Sequence, residues 1–502
     1  MPTAPVFVFG KPVAILAGII AALVVVRLPV IYRQPGGHDE EYYAFPGLTV
    51  LESGIPRMPH VPQRDPSRVF YRADEAFFAE PPLYFYVQAM FYAVLPDVYG
   101  TARLASLTAG VFAILLVYVL ARRWYRDETI ALWAAGLYSL SRMFYFPAIT
   151  ARPDLMCTLL GLVAVYAFDR WREARRRKWF VATGVLIGLG GLTHPFAIVY
   201  AVQLAGWSCW SERRWQRISM PLVLAVVAVA TCALWLPLIL AYPDEFRAQF
   251  GNNVLHPAGP GLLSRFLSPW GALARQTEVT WERAAPIQFC LFAAGVIAAA
   301  VLDGRRRDGG QTPVLIAVSA IYLISLIIGQ HPGYGYWSYA AAFFAMCLSS
   351  VLIQACRRVM GPVASRGWIG LPPAVFALLL MAPGLGLRTS WAYATHWHDI
   401  DYNAPRFAAR ILDDLPQDAR YTVGIEYALD FYAAGRTTLI GETYDYYLES
   451  KDFPYDYLVV SHDGLEWSLP ELMRGRLLRT YGRRDDPFAC YAEVYVPAGS
   501  TE

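Results

Sequence analysis

The chain has 502 residues, of which 56% are hydrophobic and only 17% are charged. A soluble protein of this length needs more charge to cover its surface, so this composition and the mean hydropathy of +0.33 predict a polytopic membrane protein that is mainly α-helical. The formal net charge of +3 gives no sign of nucleic-acid binding. The seven cysteines form neither a disulfide framework nor a CxxC metal pair.

Apolar segments long enough to cross a bilayer recur along residues 1–390, which we predict to be the membrane domain. They lie near 12–32, 101–121, 129–147, 154–169, 179–193, 195–210, 218–241, 286–303, 313–329, 336–355 and 368–388. These segments predict about eleven transmembrane helices, the first of them retained because no signal-peptide cleavage site follows it. The segment 82–95 is short, follows two prolines and is rich in aromatic residues, so it predicts an interfacial helix rather than a span.

Basic residues fix the orientation of these helices. About eighteen Lys and Arg residues lie in five loops that follow every second span, at 121–128, 169–179, 211–217, 303–310 and 356–367. The short loops between them hold almost none. By the positive-inside rule these five loops are cytoplasmic, so the large first loop, from about 33 to 100, is extracytoplasmic.

The tail, residues 391–502, differs in composition and is predicted to be a small soluble extracytoplasmic α/β domain. It holds about half of all the acidic residues. Runs of β-branched and aromatic residues predict strands at 421–427, 437–442, 455–460 and 491–497, and helices are predicted at 428–435 and 469–482. The tail has no nucleotide-binding glycine loop, so no nucleotide cofactor is expected.

Carboxylates in the outer loops are the candidates for a functional site. The stretch GGHDEEYYAF, residues 36–45, places Asp39 to Glu41 at a membrane edge with no basic residue beside them. Glu80 ends the same loop, and Asp154 begins the fourth span. A charge that enters hydrocarbon costs up to about 3 kcal/mol, so such residues usually face a cavity or a partner. Together they predict one polar cavity that opens outward.

Each of these residues also has a simpler structural interpretation. Asp39 and Glu40 fit a solvated helix end, and Glu80 and Asp154 fit the first turn of a helix, where carboxylates are favourable. Arg152 fits a contact with a lipid phosphate.

The outer histidines also allow simpler interpretations. His256 fits a solvated loop residue better than a metal ligand, and His331 is a weaker candidate still. His194, in the stretch GLTHPF, is interpreted as serving only a helix junction.

The order of several motifs resembles the GT-C membrane glycosyltransferases, in particular the protein O-mannosyltransferases and the lipid A aminoarabinose transferases. The motifs are HDEEYYAFPGLTVLESG, FAEPPLYFYVQAMFYAVL, ARLASLTAGVFAILLVYVLARRWY, ITARPDLMCTLLGL, GLGGLTHPFAIVY and HPGYGYWSYAAAFFA. The resemblance covers roughly residues 10–355. It implies an inverting transfer of a hexose or pentose from a polyprenyl-phosphate-linked donor to a protein, lipid or polysaccharide acceptor. It also implies a location in the plasma or inner membrane, with the active site on the extracytoplasmic side.

The resemblance implies roles for individual residues. Asp39 matches the family's proposed catalytic base, with Glu40 as its companion, and Asp154 matches a second catalytic carboxylate. Glu80 and His256 match residues that share a divalent metal ion, for which Mg, Mn and Zn are the candidates. No general acid is required, because the leaving group is a phosphate.

Two departures from the aminoarabinose transferases change the expected phosphate site. Those enzymes have a lysine directly after the residue matching Glu80 and an arginine three places after that matching Asp39. Here the two positions are Pro81 and Tyr42. Phosphate binding must then come from other groups. The predicted substrate-binding residues are Tyr42, Arg72, Arg152, Arg265, Tyr334 and Tyr336.

Two alternative functions remain open from the sequence. A secondary transporter would fit about eleven helices, but transporters place their binding residues near mid-membrane on broken helices of repeated halves, and no two-fold repeat is detected. A sensor that binds a ligand through its tail would leave the carboxylates of the outer loops unexplained.

Overall fold

The computed structural model describes most of the chain and is mainly helical. The described residues are 11–37, 39–211, 216–255, 262–283, 285–303, 310–329, 334–360, 381, 386–440, 455–466 and 468–499. The first helices are α1 (Lys11–Arg33), α2 (Glu40–Ser53), α3 (Leu83–Tyr92), α4 (Tyr99–Tyr125), α5 (Glu128–Leu140), α6 (Arg142–Ile149), α7 (Asp154–Ala174) and α8 (Arg177–Gly191). The next are α9 (Ile198–Ser211), α10 (Gln216–Cys232), α11 (Leu236–Ala241), α12 (Pro243–Phe250), α13 (Leu262–Leu267), α14 (Pro269–Arg283), α15 (Pro286–Leu302), α16 (Gln311–Ile328) and α17 (Ser338–Met360). Short 3-10 turns lie at Pro195–Ala197, Ala233–Trp235 and Tyr334–Trp337, and a π turn at Gly251–Leu255.

The predicted spans fall mainly on helical residues, except for 368–388, most of which lies outside the described part of the chain. Five described helical stretches are long and apolar enough to cross a membrane: Lys11–Arg33, Tyr99–Tyr125, Gln216–Ala241, Gln311–Ile328 and Gly335–Arg358. The protein is therefore a multi-pass membrane protein, and the count of eleven spans stays a prediction.

The predicted span 129–147 is not one continuous helix. It divides into α5 and α6 at Ser141, whose backbone is extended and whose hydroxyl accepts the N–H of Phe144 at 3.2 Å. The N–H of Arg142, the residue directly after Ser141, donates to Gln288 Oε1 at 2.8 Å. These side chains satisfy donors that a continuous helix would have bonded internally. The break directs α6 toward the turn that precedes α7.

Ion pairs join the ends of the helices that carry the predicted cytoplasmic loops. Arg123 at the end of α4 pairs with Asp169 and, at 2.8 Å, with Glu173 near the end of α7. Arg357 near the end of α17 pairs with Asp127, the N-cap of α5. These contacts place three of the basic loops at one end of the bundle, whereas Asp154 begins α7 at the other end.

The first loop contains two helices that pack on each other, α2 and α3. Only α3 was predicted. It buries Tyr84, Phe85 and Gln88 and exposes Tyr86 and Met90 on its other side. This two-sided character is what an interfacial helix requires, although its position relative to a membrane stays a prediction.

The tail contains α18 (Leu387–Thr395), α19 (Ala404–Asp413), α20 (Ala428–Ala433), α21 (His462–Glu466) and α22 (Leu469–Leu472). Its strands are β1 (Arg420–Val423), β2 (Thr437–Ile440), β3 (Tyr457–Val460), β4 (Gly475–Gly482) and β5 (Tyr491–Pro497). They form one sheet in the order β2-β1-β3-β5-β4, in which β1 is parallel to β2 and β3, and β5 is antiparallel to β3 and β4.

The predicted helix 469–482 is wrong over most of its length. Only Leu469–Leu472 is helical, and the rest is the edge strand β4. Leu477 and Leu478 are exposed, so they form no buried helical face, and the segment instead bonds along its backbone to β5. Pairing with the next strand in an antiparallel hairpin overrides the local helical pattern, as is common for short segments.

The tail and the first loop share one hydrophobic core. Tyr43, Phe45 and Phe77 of the loop belong to the same buried cluster as Phe407 and Tyr421 of the tail. The predicted boundary at 390/391 marks a change in composition, whereas the packing joins the tail to the loop that carries the candidate site.

Candidate active site

Asp39 lies at the turn that begins α2. Its backbone is left-handed, with φ of 66°, and its side chain makes no cap hydrogen bond to the helix. Aspartate tolerates this conformation better than most residues. The carboxylate is 62% exposed, and its Oδ2 lies 3.0 Å from Arg152 Nη1. The turn therefore aims the Asp39 carboxylate away from α2 and toward the start of α7.

Arg152 connects two of the predicted catalytic carboxylates. Its Nη1 pairs with Asp39, and its Nε donates to Asp154 Oδ2 at 3.0 Å. The guanidinium also lies over the ring of Tyr43, 5.2 Å from the centroid. We call these residues, together with Glu80, the Arg152 cluster. The predicted convergence of Asp39, Glu80 and Asp154 is what the geometry shows.

The side chain of Glu80 is 12% exposed, and that of Asp154 is 1% exposed. Burial raises the pKa of Glu80 to about 8, the charge of Arg152 opposes this shift, and the charge of Asp154 adds to it. The Tyr43 hydroxyl is a hydrogen-bond partner of the carboxylate. Within the described residues, Glu80 Oε2 and Asp154 Oδ1 are buried without a hydrogen-bond partner. At neutral pH Glu80 is therefore largely protonated.

His194 is a site residue that sequence reasoning missed. It does serve the helix junction, because its Nδ1 accepts the N–H of Phe196 at 3.1 Å. Its Nε2, however, lies 3.7 Å from Glu80 Oε2, and burial lowers its pKa to about 4. A neutral imidazole whose Nδ1 accepts carries its proton on Nε2. The sequence signal that could have identified His194 as a site residue was its predicted position at the same outer end of the helices as Asp154.

Tyr336, a predicted substrate-binding residue, lies in the wall of the site. Its ring stacks on Phe196 with centroids 5.2 Å apart and lies 5.0 Å from the ring of His194. A small cavity is lined by Asp154, His194 and Tyr336. A Cβ at Gly335 would lie 3.0 Å from Asp154 Oδ1, so the backbone here approaches the carboxylate as closely as glycine allows.

Glu40, the predicted companion of Asp39, has a different position. It is buried in an ion pair with Arg103, with Nε to Oε1 at 2.8 Å and Nη2 to Oε2 at 2.5 Å. Its Oε1 also accepts the N–H of Ala151 at 2.6 Å. This arrangement ties α2 to α4 and to the turn before α7. It supports a positioning role for Glu40 rather than the predicted catalytic one.

Three of the predicted substrate-binding residues make their contacts elsewhere. Arg72 pairs with Glu75 at 2.5 Å and with Glu245 at 2.7 Å. Arg265 donates to the carbonyl of Ile327 at 2.8 Å, at the end of α16. Tyr42 stacks on Phe70 with centroids 4.6 Å apart, and its neighbour Tyr43 faces Arg152 instead. Their roles in binding stay predictions that these contacts do not support. Tyr334 belongs to the same 3-10 turn as Tyr336, and His256 lies outside the described residues.

The described residues do not by themselves make a metal site. No group of three or more His, Cys, Asp and Glu side chains suited to a metal ion is found among them. Glu80 and Asp154 offer carboxylate oxygens, but His194 adds no ligand, because its Nδ1 accepts the Phe196 N–H and its Nε2 carries the proton.

An apolar cavity of about 310 Å³ lies between α14, α15, α16 and α17, with Met143 of α6 in its wall. Phe289, Phe292 and Phe344 line it, with a few polar groups such as Thr277. Trp337, the residue after Tyr336, also lines this cavity. The turn Tyr334–Trp337 thus contributes one residue to the wall of each cavity.

Comparison with known proteins confirms the resemblance to the GT-C superfamily. Residues 79–237 match the family model described as dolichyl-phosphate-mannose-protein mannosyltransferase. The structure resembles that of ArnT from Cupriavidus metallidurans in the apo state, with a TM-score of 0.58 and 17% identity, over 96% of this chain and 97% of that one. The structure of ArnT bound to undecaprenyl phosphate matches with a TM-score of 0.56 and 16% identity, over 97% of this chain and 98% of that one. This likeness establishes the fold.

Among curated proteins, the chain is similar to an undecaprenyl phosphate-alpha-4-amino-4-deoxy-L-arabinose arabinosyl transferase from Pseudomonas aeruginosa strain LESB58. The two are 33% identical over 239 residues, which is 42% of this chain and 43% of the relative. A homologue from Pseudomonas paraeruginosa is 32% identical over 166 residues, 32% of this chain and 30% of the relative. The chain thus matches less than half the length of these relatives.

Proposed function

We propose that the protein is an integral-membrane inverting glycosyltransferase. It moves a sugar from a polyprenyl-phosphate-linked donor to an extracytoplasmic acceptor, at the outer face of the inner or plasma membrane. The observation that carries the proposal is the Arg152 cluster, in which acids from three distant segments meet beside an apolar cavity. The similarity to the aminoarabinose transferases supports a donor carried on undecaprenyl phosphate.

In the proposed reaction Asp39 takes the proton of the acceptor hydroxyl. The acceptor oxygen then bonds to the anomeric carbon of the sugar, while the bond from that carbon to the phosphate oxygen breaks and its electrons leave with the phosphate. A positioned base of this kind contributes about 10²- to 10⁴-fold to the rate. Asp39 suits the role because its carboxylate is exposed to an incoming acceptor, whereas Arg152 fixes its direction.

The charge balance of the Arg152 cluster affects the donor phosphate. Two carboxylates, those of Asp39 and Asp154, pair with the single guanidinium of Arg152. A further carboxylate would repel the phosphate, and the raised pKa of Glu80 keeps that group protonated at neutral pH. The proposed effect of burying Glu80 is therefore to supply a hydrogen-bond donor in place of a third negative charge.

A divalent cation remains part of the proposal only through the resemblance, with Glu80 and His256 as its ligands. Its binding would require the deprotonated form of Glu80, so the ion would replace the proton described above. Such an ion would neutralise charge on the leaving phosphate. Metal analysis of the purified protein and of a His256→Ala variant tests this assignment directly. Less than one bound ion per chain in the unaltered protein would contradict it.

The test of the proposed function is Asp39→Asn in the purified full-length protein. Transfer, followed by mass spectrometry of cell-envelope products, is expected to fall about 10²-fold or more, whereas undecaprenyl phosphate binding stays unchanged. Glu52→Gln is the matched control, because Glu52 is an exposed carboxylate at the other end of α2. Turnover near the normal rate in Asp39→Asn would refute the assignment of the base.

The alternative of a secondary transporter is not supported by this arrangement. The Arg152 cluster is built from loops and helix ends at one end of the bundle, not from broken helices at mid-membrane.

A further inference from the structure

A second polar cavity, of about 200 Å³, lies between the tail and the membrane domain. One wall consists of the turn 34–37 with Glu40 and Arg103, together with Thr150. The other wall comes from the tail and includes Tyr427 and His462. We call this space the tail cavity. It shares no lining residue with the small cavity at Asp154 and Tyr336.

The tail cavity adjoins the site of the proposed reaction. Its membrane-domain wall is built from the two turns that also carry the catalytic candidates: Glu40 follows Asp39, and Thr150 lies two residues before Arg152. A molecule held in the tail cavity therefore contacts the two turns that carry Asp39 and Arg152.

Backbone contacts hold the two walls in a fixed relation. The N–H of Gly36 donates to the carbonyl of Glu426 at 3.0 Å, and the Tyr99 hydroxyl donates to the carbonyl of Ile425 at 2.6 Å. A Cβ at Gly36 would lie 2.6 Å from the Tyr99 ring, so this approach requires glycine. At Gly37 a Cβ would meet nothing within 4 Å, because that residue faces open space.

The charges around the tail cavity argue against a phosphate ligand. All five N–H groups of Arg103 are already used: three bond to the carbonyls of Ile31, Gln34 and Pro35, and two bond to Glu40. The guanidinium therefore has no donor left for an anion. The tail wall adds a further carboxylate, that of the buried Glu426. The cavity thus favours a ligand that donates hydrogen bonds and carries no negative charge.

Aromatic and imidazole groups supply the remaining features. Tyr491 and Phe488 line the cavity, and the His462 ring stacks on Tyr491 with centroids 5.4 Å apart. Within the described residues, His462 Nε2 is buried without a hydrogen-bond partner. Aromatic side chains, a carboxylate and an unsatisfied imidazole nitrogen together suit a hydroxyl-rich molecule with both polar edges and apolar C–H groups.

We propose that the tail cavity binds the acceptor of the transfer reaction, and that the bound part of the acceptor is an uncharged or amine-bearing saccharide. The assignment of this molecule as the acceptor rests on the proposed function, in which Asp39 deprotonates a hydroxyl of the acceptor. The donor lipid is assigned to a separate space, the apolar cavity between α14 and α17, which shares no lining residue with the tail cavity.

The test measures saccharide binding to the purified full-length protein, with methyl glucoside, methyl mannoside and methyl glucosaminide as probes in saturation-transfer NMR. At least one probe is expected to bind saturably, and its Kd is expected to rise about tenfold or more in Glu426→Gln and in His462→Phe, because each change removes a hydrogen bond and little volume. Glu466→Gln, an exposed carboxylate of α21, is the matched control and leaves the Kd unchanged.

Several results would overturn the inference. They are the absence of saturable binding by every probe, an unchanged Kd in both tail variants, and displacement of the saccharide by inorganic phosphate or by the peptide Gly-Ser-Gly. Competition by undecaprenyl phosphate would place the sugar in the donor site and would also overturn it.

The binding test is independent of turnover. Loss of saccharide binding with an intact effect of Asp39→Asn would refute the tail cavity alone. Saccharide binding together with normal turnover in Asp39→Asn would refute the catalytic assignment and leave the cavity as a saccharide site.

Discussion

Asp39 and Glu40 are neighbours in the sequence, yet they belong to two different ionic arrangements. Glu40 pairs with Arg103 in the interior, and every N–H of that guanidinium is bonded. Asp39 pairs with Arg152 at the surface, in a cluster where Glu80 and Asp154 each retain a buried oxygen without a hydrogen-bond partner in the described chain.

The difference separates a structural ion pair from a reactive site. A buried pair is tolerated when all of its donors and acceptors are satisfied, and it then fixes the elements that it joins. Unsatisfied groups in a partly open cluster are costly for stability and remain available to a ligand. On this basis the Glu40–Arg103 pair holds the turns in place, and the Arg152 cluster carries the proposed chemistry.

The largest effect is expected when the structural pair is broken. Arg103→Met leaves the Glu40 carboxylate buried and uncompensated, which costs about 3 to 5 kcal/mol. We expect loss of the monodisperse protein in fluorescence-detected size exclusion. The double variant Arg103→Met with Glu40→Gln removes both charges and should recover part of the stability. Equal stability of the single variant and the unaltered protein would show that the pair does not hold the fold.

A smaller effect is expected from a change that displaces a member of the Arg152 cluster without altering a charge. Gly335→Ala places a methyl group about 3.0 Å from Asp154 Oδ1, so the carboxylate must shift relative to Arg152. A displacement of about 1 Å lowers rates by about 100-fold, so the shift of a few tenths of an ångström required here is expected to lower transfer by about 2- to 10-fold. We expect transfer to fall within that range while the melting temperature changes little.

Gly206→Ala in α9 is the control for that variant, because a Cβ there meets no atom within 4 Å and the residue lies outside the cavities described above. An unchanged rate in Gly335→Ala would mean that the position of Asp154 does not matter for transfer.

The smallest effect is expected from a change at Asp430, a buried carboxylate in α20 of the tail. Burial raises its pKa from 3.8 to about 7, and the charge of Arg103 only partly opposes this shift. Because the folded pKa lies above the unfolded value, the contribution of Asp430 to stability is most favourable below about pH 4, falls as the pH rises from about 4 to 7, and is constant above that range. Asp430→Asn should remove this decline and raise the melting temperature by a few degrees at pH 8, with no gain at pH 4. A gain of the same size at both pH values would contradict the assignment.

The composition, the spacing of apolar segments and the basic loops predicted the membrane domain, because burial in lipid imposes these patterns on the chain directly. The same reasoning placed Asp39, Glu80 and Asp154 at one end of the bundle. It did not find His194, Tyr43 or the role of Glu40, because those depend on partners far away in the sequence. In the tail, the leucines at 477 and 478 suggested a helix, and the strand that pairs with them begins only at Tyr491.

The sequence alone therefore predicted which segments enter the membrane and which carboxylates lie outside it, since hydrophobicity and charge act residue by residue. Only the tertiary structure decided that Arg103 neutralises Glu40, that Arg152 links Asp39 with Asp154, and that the tail closes over the turn at Gly36. Those outcomes depend on distances of about 3 Å between segments that lie tens to hundreds of residues apart, and packing sets such distances.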